Sequence, residues 1–355
     1  MQKKISIIIP VYKVEDYIHQ CIQSIIQQDV EHSAVECILI NDCTPDRSMK
    51  VLEDTLAAYD GGMDFRILNH QENQGSSVCR NDGIKEATGE YILFVDSDDY
   101  LLKGCLSELL SAAQRHPEAD LLIGNIYDEY LQCNTYPLKH EQVLTNPNQL
   151  YMGTFKHYTV WNMLIRRSML QESQVCFLKG IYMQDALFNY LLFPFVRQAV
   201  VIPTPTYFYR KNMGGVTLDA KWKKATKTML DYQTILRLFS TNLKGNTYVG
   251  KSLFAYEIAS RGLDFFYHNQ THIDHTQTAE GDLLRIIKNL LVQHIANGRL
   301  FLFLLFLLLL PPFNRLMRIR LYRRYFNHIT ALFGSPALFF DCMHRHPAPC
   351  PVGQL

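Results

Sequence analysis

Asp96-Ser97-Asp98-Asp99 follows directly on the apolar run Tyr91-Ile92-Leu93-Phe94-Val95, itself bounded upstream by Gly89. The run reads as a short buried strand, so the carboxylates stand at its carboxyl end. On an extended backbone side chains alternate between faces, which makes Asp96 and Asp98 project the same way. Two carboxylates about 4 Å apart repel by roughly 4 kcal/mol at an effective dielectric of about 20. A positive group is therefore expected between or beyond them. Oxygen-only ligands suit Mg2+ or Mn2+, with a substrate phosphate completing the shell. The plainer alternative is that Asp98 or Asp99 caps a helix beginning near Leu102.

The elements that must position these residues lie upstream. Residues 5–11 form an unbroken apolar strand, as expected for a parallel strand covered on both faces, and Pro10 marks where its pairing stops. Ile18, Cys21, Ile22, Ile25 and Ile26 then fall at helical spacing, with Glu15 and Asp16 in the first turn. Residues 35–40 are a second strand, and Asn41-Asp42-Cys43-Thr44-Pro45-Asp46 is the loop at its carboxyl end. A helix over 49–59, the Gly61-Gly62 pair and a strand at 65–68 come next. Asn73-Gln74-Gly75 turns the chain into a helix over 78–87 that carries Arg80 and Asn81.

This alternation predicts an α/β fold with a doubly wound, mostly parallel sheet. Ligands of such sheets sit outside the carboxyl ends of the strands. Tyr12, Asp42 and Asp96 to Asp98 all fall there, on three strand ends. No glycine precedes Gly61, which excludes both a dinucleotide-binding G-x-G-x-x-G and a phosphate-cradling glycine loop on the first strand. A nucleotide bound here has to be held by side chains and a metal. The same absence argues against a nucleotidyltransferase.

Farther along, a helix over 106–115 and a strand over 120–126 precede a loose polar stretch at 127–159. Arg166-Arg167 reads as a phosphate or anionic-lipid contact, or equally as a solvated pair. Gln184-Asp185 opens a helix that runs through Phe188 and Leu191. Tyr207-Phe208-Tyr209 is more readily core than a platform for sugar. Helical periodicity fills 221–297.

Composition sets the outer bounds. The 355 residues carry a formal net charge of +1 and 48% hydrophobic side chains, so a folded protein of two parts is expected and a nucleic-acid partner is not. Nine cysteines with no secretory signal point to a reducing, cytoplasmic setting, with Cys21, Cys37 and Cys105 as buried thiols. His268, His272 and His275 read as surface histidines, and Cys342, His344, His346 and Cys350 as a proline-rich tail rather than a zinc site.

Residues 300–310 contain no polar side chain and are followed by Pro311-Pro312, then by Arg315, Arg318, Arg320, Arg323 and Arg324. Crossing a bilayer takes about 20 apolar residues, so this run is too short to span. An apolar wedge beside a basic stretch suits a helix lying on an anionic membrane surface; a core helix with a solvated basic face is the alternative. The expected organisation is a nucleotide-sugar domain at 1–217, a helical region at 218–299, and a membrane-associating segment with a flexible tail at 300–355.

The motifs taken together resemble the family 2 glycosyltransferases, inverting enzymes with a GT-A type nucleotide-sugar fold. Ile7-Ile8-Ile9-Pro10-Val11-Tyr12, Ile40-Asn41-Asp42-Cys43-Thr44-Pro45-Asp46, Asn73-Gln74-Gly75 with Cys79-Arg80-Asn81, and Phe94-Val95-Asp96-Ser97-Asp98-Asp99 carry the resemblance over about residues 5–100. Trp161, Arg166-Arg167, Gln184-Asp185 and Tyr207-Phe208-Tyr209-Arg210 extend it more weakly to about 217. The resemblance implies that Pro10, Val11, Tyr12, Glu15, Asp42, Arg80, Asp96 and Ser97 bind the nucleotide sugar. It implies that Asp98 holds the metal, Mg2+ or Mn2+, and that Asp185 is the base. Gln184 departs from the family's Glu-Asp pair, and a degenerate, non-catalytic member of the fold is the competing expectation. The implied reaction moves a sugar from a nucleotide-diphosphate donor to a saccharide or lipid-linked saccharide acceptor, at the cytoplasmic face of a membrane. One base and no protein nucleophile means a single displacement, hence inversion.

Overall fold

A computed structural model describes residues 3–151, 159–212 and 225–243, with scattered positions between 251 and 285. In order, the elements are β1 (Ile5–Val11), α1 (Ile18–Ile26), β2 (Val35–Asn41), α2 (Ser48–Ala57), β3 (Asp64–Asn69), α3 (Ser76–Glu86), β4 (Tyr91–Phe94), β5 (Tyr100–Leu101) and α4 (Cys105–Arg115). They continue as β6 (Leu121–Asp128), β7 (Cys133–Asn134), β8 (Gln142–Leu144), α5 (Asn148–Tyr151), β9 (Met163–Arg166), α6 (Arg167–Ser173), α7 (Gln184–Leu192), β10 (Ala199–Tyr209) and α8 (Ala225–Leu243).

The architecture is mixed α/β with one sheet in the order β3-β2-β1-β4-β9-β6-β10-β5, while β7 pairs with β6 and β8 with β10. β1 pairs in parallel with β2 and β4, β2 with β3, and β6 with β10. The first half follows the periodicity closely, because β1 and β2 are apolar along almost their whole length and are buried on both faces. Cys21, Cys37 and Cys105 are buried free thiols.

Gly89 shows how closely the strands are drawn together. A Cβ there would lie 2.7 Å from the backbone nitrogen of Ser6 and 2.8 Å from the carbonyl carbon of Ile5, so only glycine lets the chain enter β4 against β1. The Gly89 N–H donates to Ser6 Oγ at 2.9 Å. The Glu36 carboxylate, almost fully buried, gathers Thr88 N–H at 2.7 Å and Arg66 Nη2 at 2.6 Å.

The second half departs from the sequence reading. β9 enters antiparallel between β4 and β6, where the periodicity suggested only a segment holding two arginines. Four residues are too few to display a period. Arg166 does not reach outward as an anion contact: it lies 5.0 Å over the Tyr91 ring and donates to the carbonyls of Ala119 and Pro117. Arg167 Nε donates to Gly89 O at 2.5 Å. Pro203 and Pro205 concealed β10, which accommodates them at register shifts between Val201 and Tyr207. The polar stretch 127–159 contains β7, β8 and α5 rather than loop alone.

α7 and α8 close one side. Tyr190 stacks on Phe239 at 3.8 Å and Phe177 on Phe188 at 4.0 Å. Among the described residues no helix is long and apolar enough to cross a membrane. The apolar run at 300–310, the arginines after it and the Cys/His tail lie outside the described residues, as do His268 and His275.

Candidate active site

β4 pairs with β1 only as far as Ile8 and Phe94, and Val95 N–H donates to Ile8 O at 3.1 Å. Beyond that point the chain curls: Asp99 N–H donates to Asp96 O at 3.0 Å. The carboxylates therefore sit on a tight turn and not on an extended strand, and face alternation does not apply to them. Neither Asp98 nor Asp99 caps a helix, because α4 starts at Cys105 behind Gly104, which has φ +80.

Arg80 on α3 supplies the positive charge the carboxylates call for. Its side chain is 4% exposed, with Nη2 donating to Asp96 Oδ1 at 2.7 Å and Nη1 donating to Asp185 Oδ1 at 2.9 Å. One guanidinium thus joins the turn after β4 to the first turn of α7. Asp185 keeps 20% of its side chain exposed. Burial pushes its carboxyl up to about 6, against the pull of Arg80 and with a further push from Asp96.

Asp99, which motif reading offered only as a helix cap, is buried and braces the turn. Its Oδ2 accepts from Tyr207 Oη at 2.9 Å and its Oδ1 from Arg210 N–H at 2.8 Å. Tyr207 Oη also accepts from Asp96 N–H at 3.1 Å. Burial raises the Asp99 carboxyl well above its ordinary range, helped by Asp98 and Asp96. Asp98 accepts Asn212 Nδ2 at 2.8 Å on Oδ2, while its carbonyl accepts Arg210 Nε at 2.7 Å. Its own carboxyl is raised by burial and then by Asp96. The Arg210 guanidinium lies over both Tyr17 and Tyr100, 5.2 and 5.3 Å from the ring centroids. Trp161 stacks on Tyr207 at 4.6 Å and on Tyr209 at 5.1 Å, so these aromatics form the wall behind the turn. Asn212 was missed because nothing local marks it, the aromatic run ending at Arg210 being the available signal; Asp99 stands in the acidic motif, where the local pattern suggests a helix cap and not a brace.

The other motif residues occupy neighbouring strand ends. Asp42 N–H donates to Val11 O at 3.0 Å, tying the end of β2 to that of β1. Tyr12 is exposed, Val11 and Ser97 are buried, and Pro10 is half-buried. Lys13 and Cys43 adopt positive φ, +55 and +54, a left-handed conformation uncommon for non-glycine residues. Glu15 faces α2, where its Oε2 accepts Arg47 N–H at 2.9 Å. Asp42 accepts the N–H groups of Gln74 and Gly75, each at 2.8 Å, and contacts His70 Nδ1 at 2.8 Å. Gln184 is bound to Ser76 and Ser77 at the start of α3.

Carboxylate oxygen at the turn is the donor type a hard divalent cation prefers, although among the described residues three such oxygens do not gather within 4.8 Å there. Asp98 offers carboxylate oxygen, and the turn with Asp185 brings four carboxylates against the guanidinium groups of Arg80 and Arg210. Like-charge repulsion there is already visible in the raised Asp98 and Asp99 carboxyls. Asp42, His70 and Cys79 also converge within 4.8 Å, but Asp42 is occupied by backbone N–H groups and burial drives the Cys79 thiol far up. That cluster is a brace for the turn into α3.

A family model for glycosyl transferase family 2 matches residues 6–173. Over 238 residues the chain is 35% identical to the uncharacterized glycosyltransferase EpsJ of Bacillus subtilis, covering 64% of this chain and 67% of that protein. The chain belongs to glycosyl transferase family 2. It is a glycosyltransferase. The crystal structure of Staphylococcus aureus TarS residues 1–349 in complex with UDP-GlcNAc superposes with a TM-score of 0.65 at 19% identity, covering 82% of this chain and 81% of that one. A mannosyltransferase of Pyrobaculum calidifontis, in complex with GDP-Man and Mn2+, gives 0.54 at 10% identity over 87% and 85%. These likenesses show the GT-A fold. The family match spans β1 to α6, whereas Asp185, Tyr207, Arg210 and Asn212 reach the carboxylate turn and Arg80 from beyond it.

Proposed function

We propose that this transferase moves a sugar from a nucleotide-diphosphate sugar to a hydroxyl of a saccharide or lipid-linked saccharide acceptor, with inversion. The observation that carries the reading is the Arg80 bridge, which sets a largely buried carboxylate beside the turn that takes the donor diphosphate. Asp185 accepts the proton of the attacking hydroxyl, and a base with a pKa of about 6 is ionised and still basic at neutral pH. Asp98 would hold Mg2+ or Mn2+, which would supply positive charge to stabilise the leaving diphosphate. Pro10, Val11, Tyr12, Glu15, Asp42, Asp96 and Ser97 form the nucleotide-sugar side, with Arg80 behind them.

Gln184 does not argue against turnover, since its amide is committed to Ser76 and Ser77 rather than to Asp185. The TarS complex supports a UDP-linked donor, and the relatives support a place in surface polysaccharide synthesis. Residues 300–324 support attachment to the cytoplasmic face of a membrane. A panel of sugar nucleotides, each with and without Mn2+, tests the reading by thermal shift and by release of nucleoside diphosphate. Mn2+-dependent stabilisation by UDP with turnover of one UDP-sugar is expected. No stabilisation and no turnover across the panel would overturn it.

A further inference from the structure

Arg80 is more deeply enclosed than a residue that only meets a nucleotide needs to be. Its side chain is 4% exposed and packs 5.4 Å over the Phe177 ring, and its Nε finds no partner among the described residues. Both outward nitrogens are committed, one to Asp96 and the other to Asp185, at 2.7 and 2.9 Å. A planar guanidinium can span two carboxylates in this way, and an ammonium cannot. The groups facing Asp185 come from three elements: Arg80 on α3, Asp96 on the turn after β4, and the Val160 N–H ahead of β9.

We propose that Arg80 is a positioning residue for the base. It orients the Asp185 carboxylate and supplies its counter-charge, which the same guanidinium divides with Asp96. This rests on the transferase reading, in which Asp185 takes the acceptor proton and Asp96 lies on the donor side. The physical reason is competition. One buried cation divided between two carboxylates stabilises each less than it would stabilise one alone, and the carboxylates repel each other. Removing Asp96's charge leaves Arg80 entirely to Asp185, while removing Arg80 leaves two partly buried anions without it.

The test reads Asp185 directly. In the full-length chain labelled with 13C at the aspartate carboxyls, the resonance missing from Asp185→Asn is followed by NMR against pH. A wild-type midpoint of about 6 is expected. In Arg80→Gln the midpoint should rise by about 1–3 pH units, a 10- to 1,000-fold gain in proton affinity. Arg80→Lys should recover part of that rise. Asp96→Asn should move the midpoint the opposite way, downward, both by leaving Arg80 to Asp185 and by removing the direct repulsion of Asp96. The difference between Arg80→Gln and Arg80→Lys isolates Arg80, since a merely structural role predicts no shift in either.

An unchanged midpoint in folded Arg80→Gln, or an upward one in Asp96→Asn, overturns the proposal. If Arg80→Gln does not fold, Arg80→Lys decides it: a raised midpoint supports the proposal and a wild-type midpoint overturns it. UDP release from UDP-GlcNAc with Mn2+ separates this inference from the reading beneath it. Titration shifts as predicted, without turnover of any sugar nucleotide, would sink the transferase reading and leave Arg80's role standing. Turnover that requires Asp185 but whose acid limb ignores Arg80→Gln would do the reverse.

Discussion

Asn212 Nδ2 donates to Asp98 Oδ2 at 2.8 Å across 114 positions of sequence. The chain leaving β10 therefore folds back onto the carboxylate turn, and Arg210 secures it by donating to Asp98 O and Asp99 Oδ1. Asp98 is thus held by residues from beyond the end of β10.

Asp98→Asn preserves shape and can still accept from Asn212, yet it removes the anionic oxygen. Mn2+-dependent stabilisation by UDP should disappear while the melting temperature without ligand stays near wild type. Differential scanning fluorimetry with UDP, with and without Mn2+, reads both. Unchanged Mn2+ dependence would remove Asp98 from the metal site.

Asp185→Asn should lower turnover by about 10²–10⁴ with donor affinity nearly intact, the mark of a group used in the transition state. In the wild type, activity should fall as pH drops through about 6, where Asp185 takes up its proton; the residual activity of the variant should lack that limb. Gln184→Glu should be tolerated, because Ser76 and Ser77 can both donate to a carboxylate at the start of α3. Wild-type turnover in Asp185→Asn would end the base assignment.

Glu36 makes a stability prediction independent of the chemistry. Burial alone would raise its carboxyl, but Ser6, Thr88 and Arg66 together hold it below its ordinary value of 4.5. A depressed carboxylate stabilises the fold above its unfolded pKa and loses that contribution as pH falls through the folded one. Glu36→Gln should cost about 1–3 kcal/mol at pH 7, with the gap to wild type narrowing below pH 4.5. Urea midpoints at pH 7 and pH 3.5 measure it, and a gap that does not narrow would refute the assignment.

Removing residues 300–355 should leave nucleotide binding intact and abolish sedimentation with vesicles rich in phosphatidylglycerol. Each basic residue near an anionic surface contributes about 1 kcal/mol, so raised salt should partly release the full-length chain. Equal sedimentation of the two forms would count against a membrane segment there.

The sequence by itself determined the first half of the fold and the types of residue at the strand ends. β1, α1 and β2 have regular apolar patterns, and Asp42 and Asp96 to Asp98 stand at or just beyond the ends of apolar strands. Local propensity and burial point to the same answer there, so the periodicity can be read directly. Only the tertiary structure decided how the carboxylates are used. β9 is too short to show a period and β10 is masked by prolines, yet β10 brings Tyr207 and Arg210 to Asp99. The curl of Asp96 to Asp99, the sharing of Arg80 between Asp96 and Asp185, and the return of Asn212 to Asp98 join residues up to 114 positions apart. Such contacts follow from the packing of whole elements on the sheet, and a buried charge selects its partners by proximity in space, which no local pattern in the chain encodes.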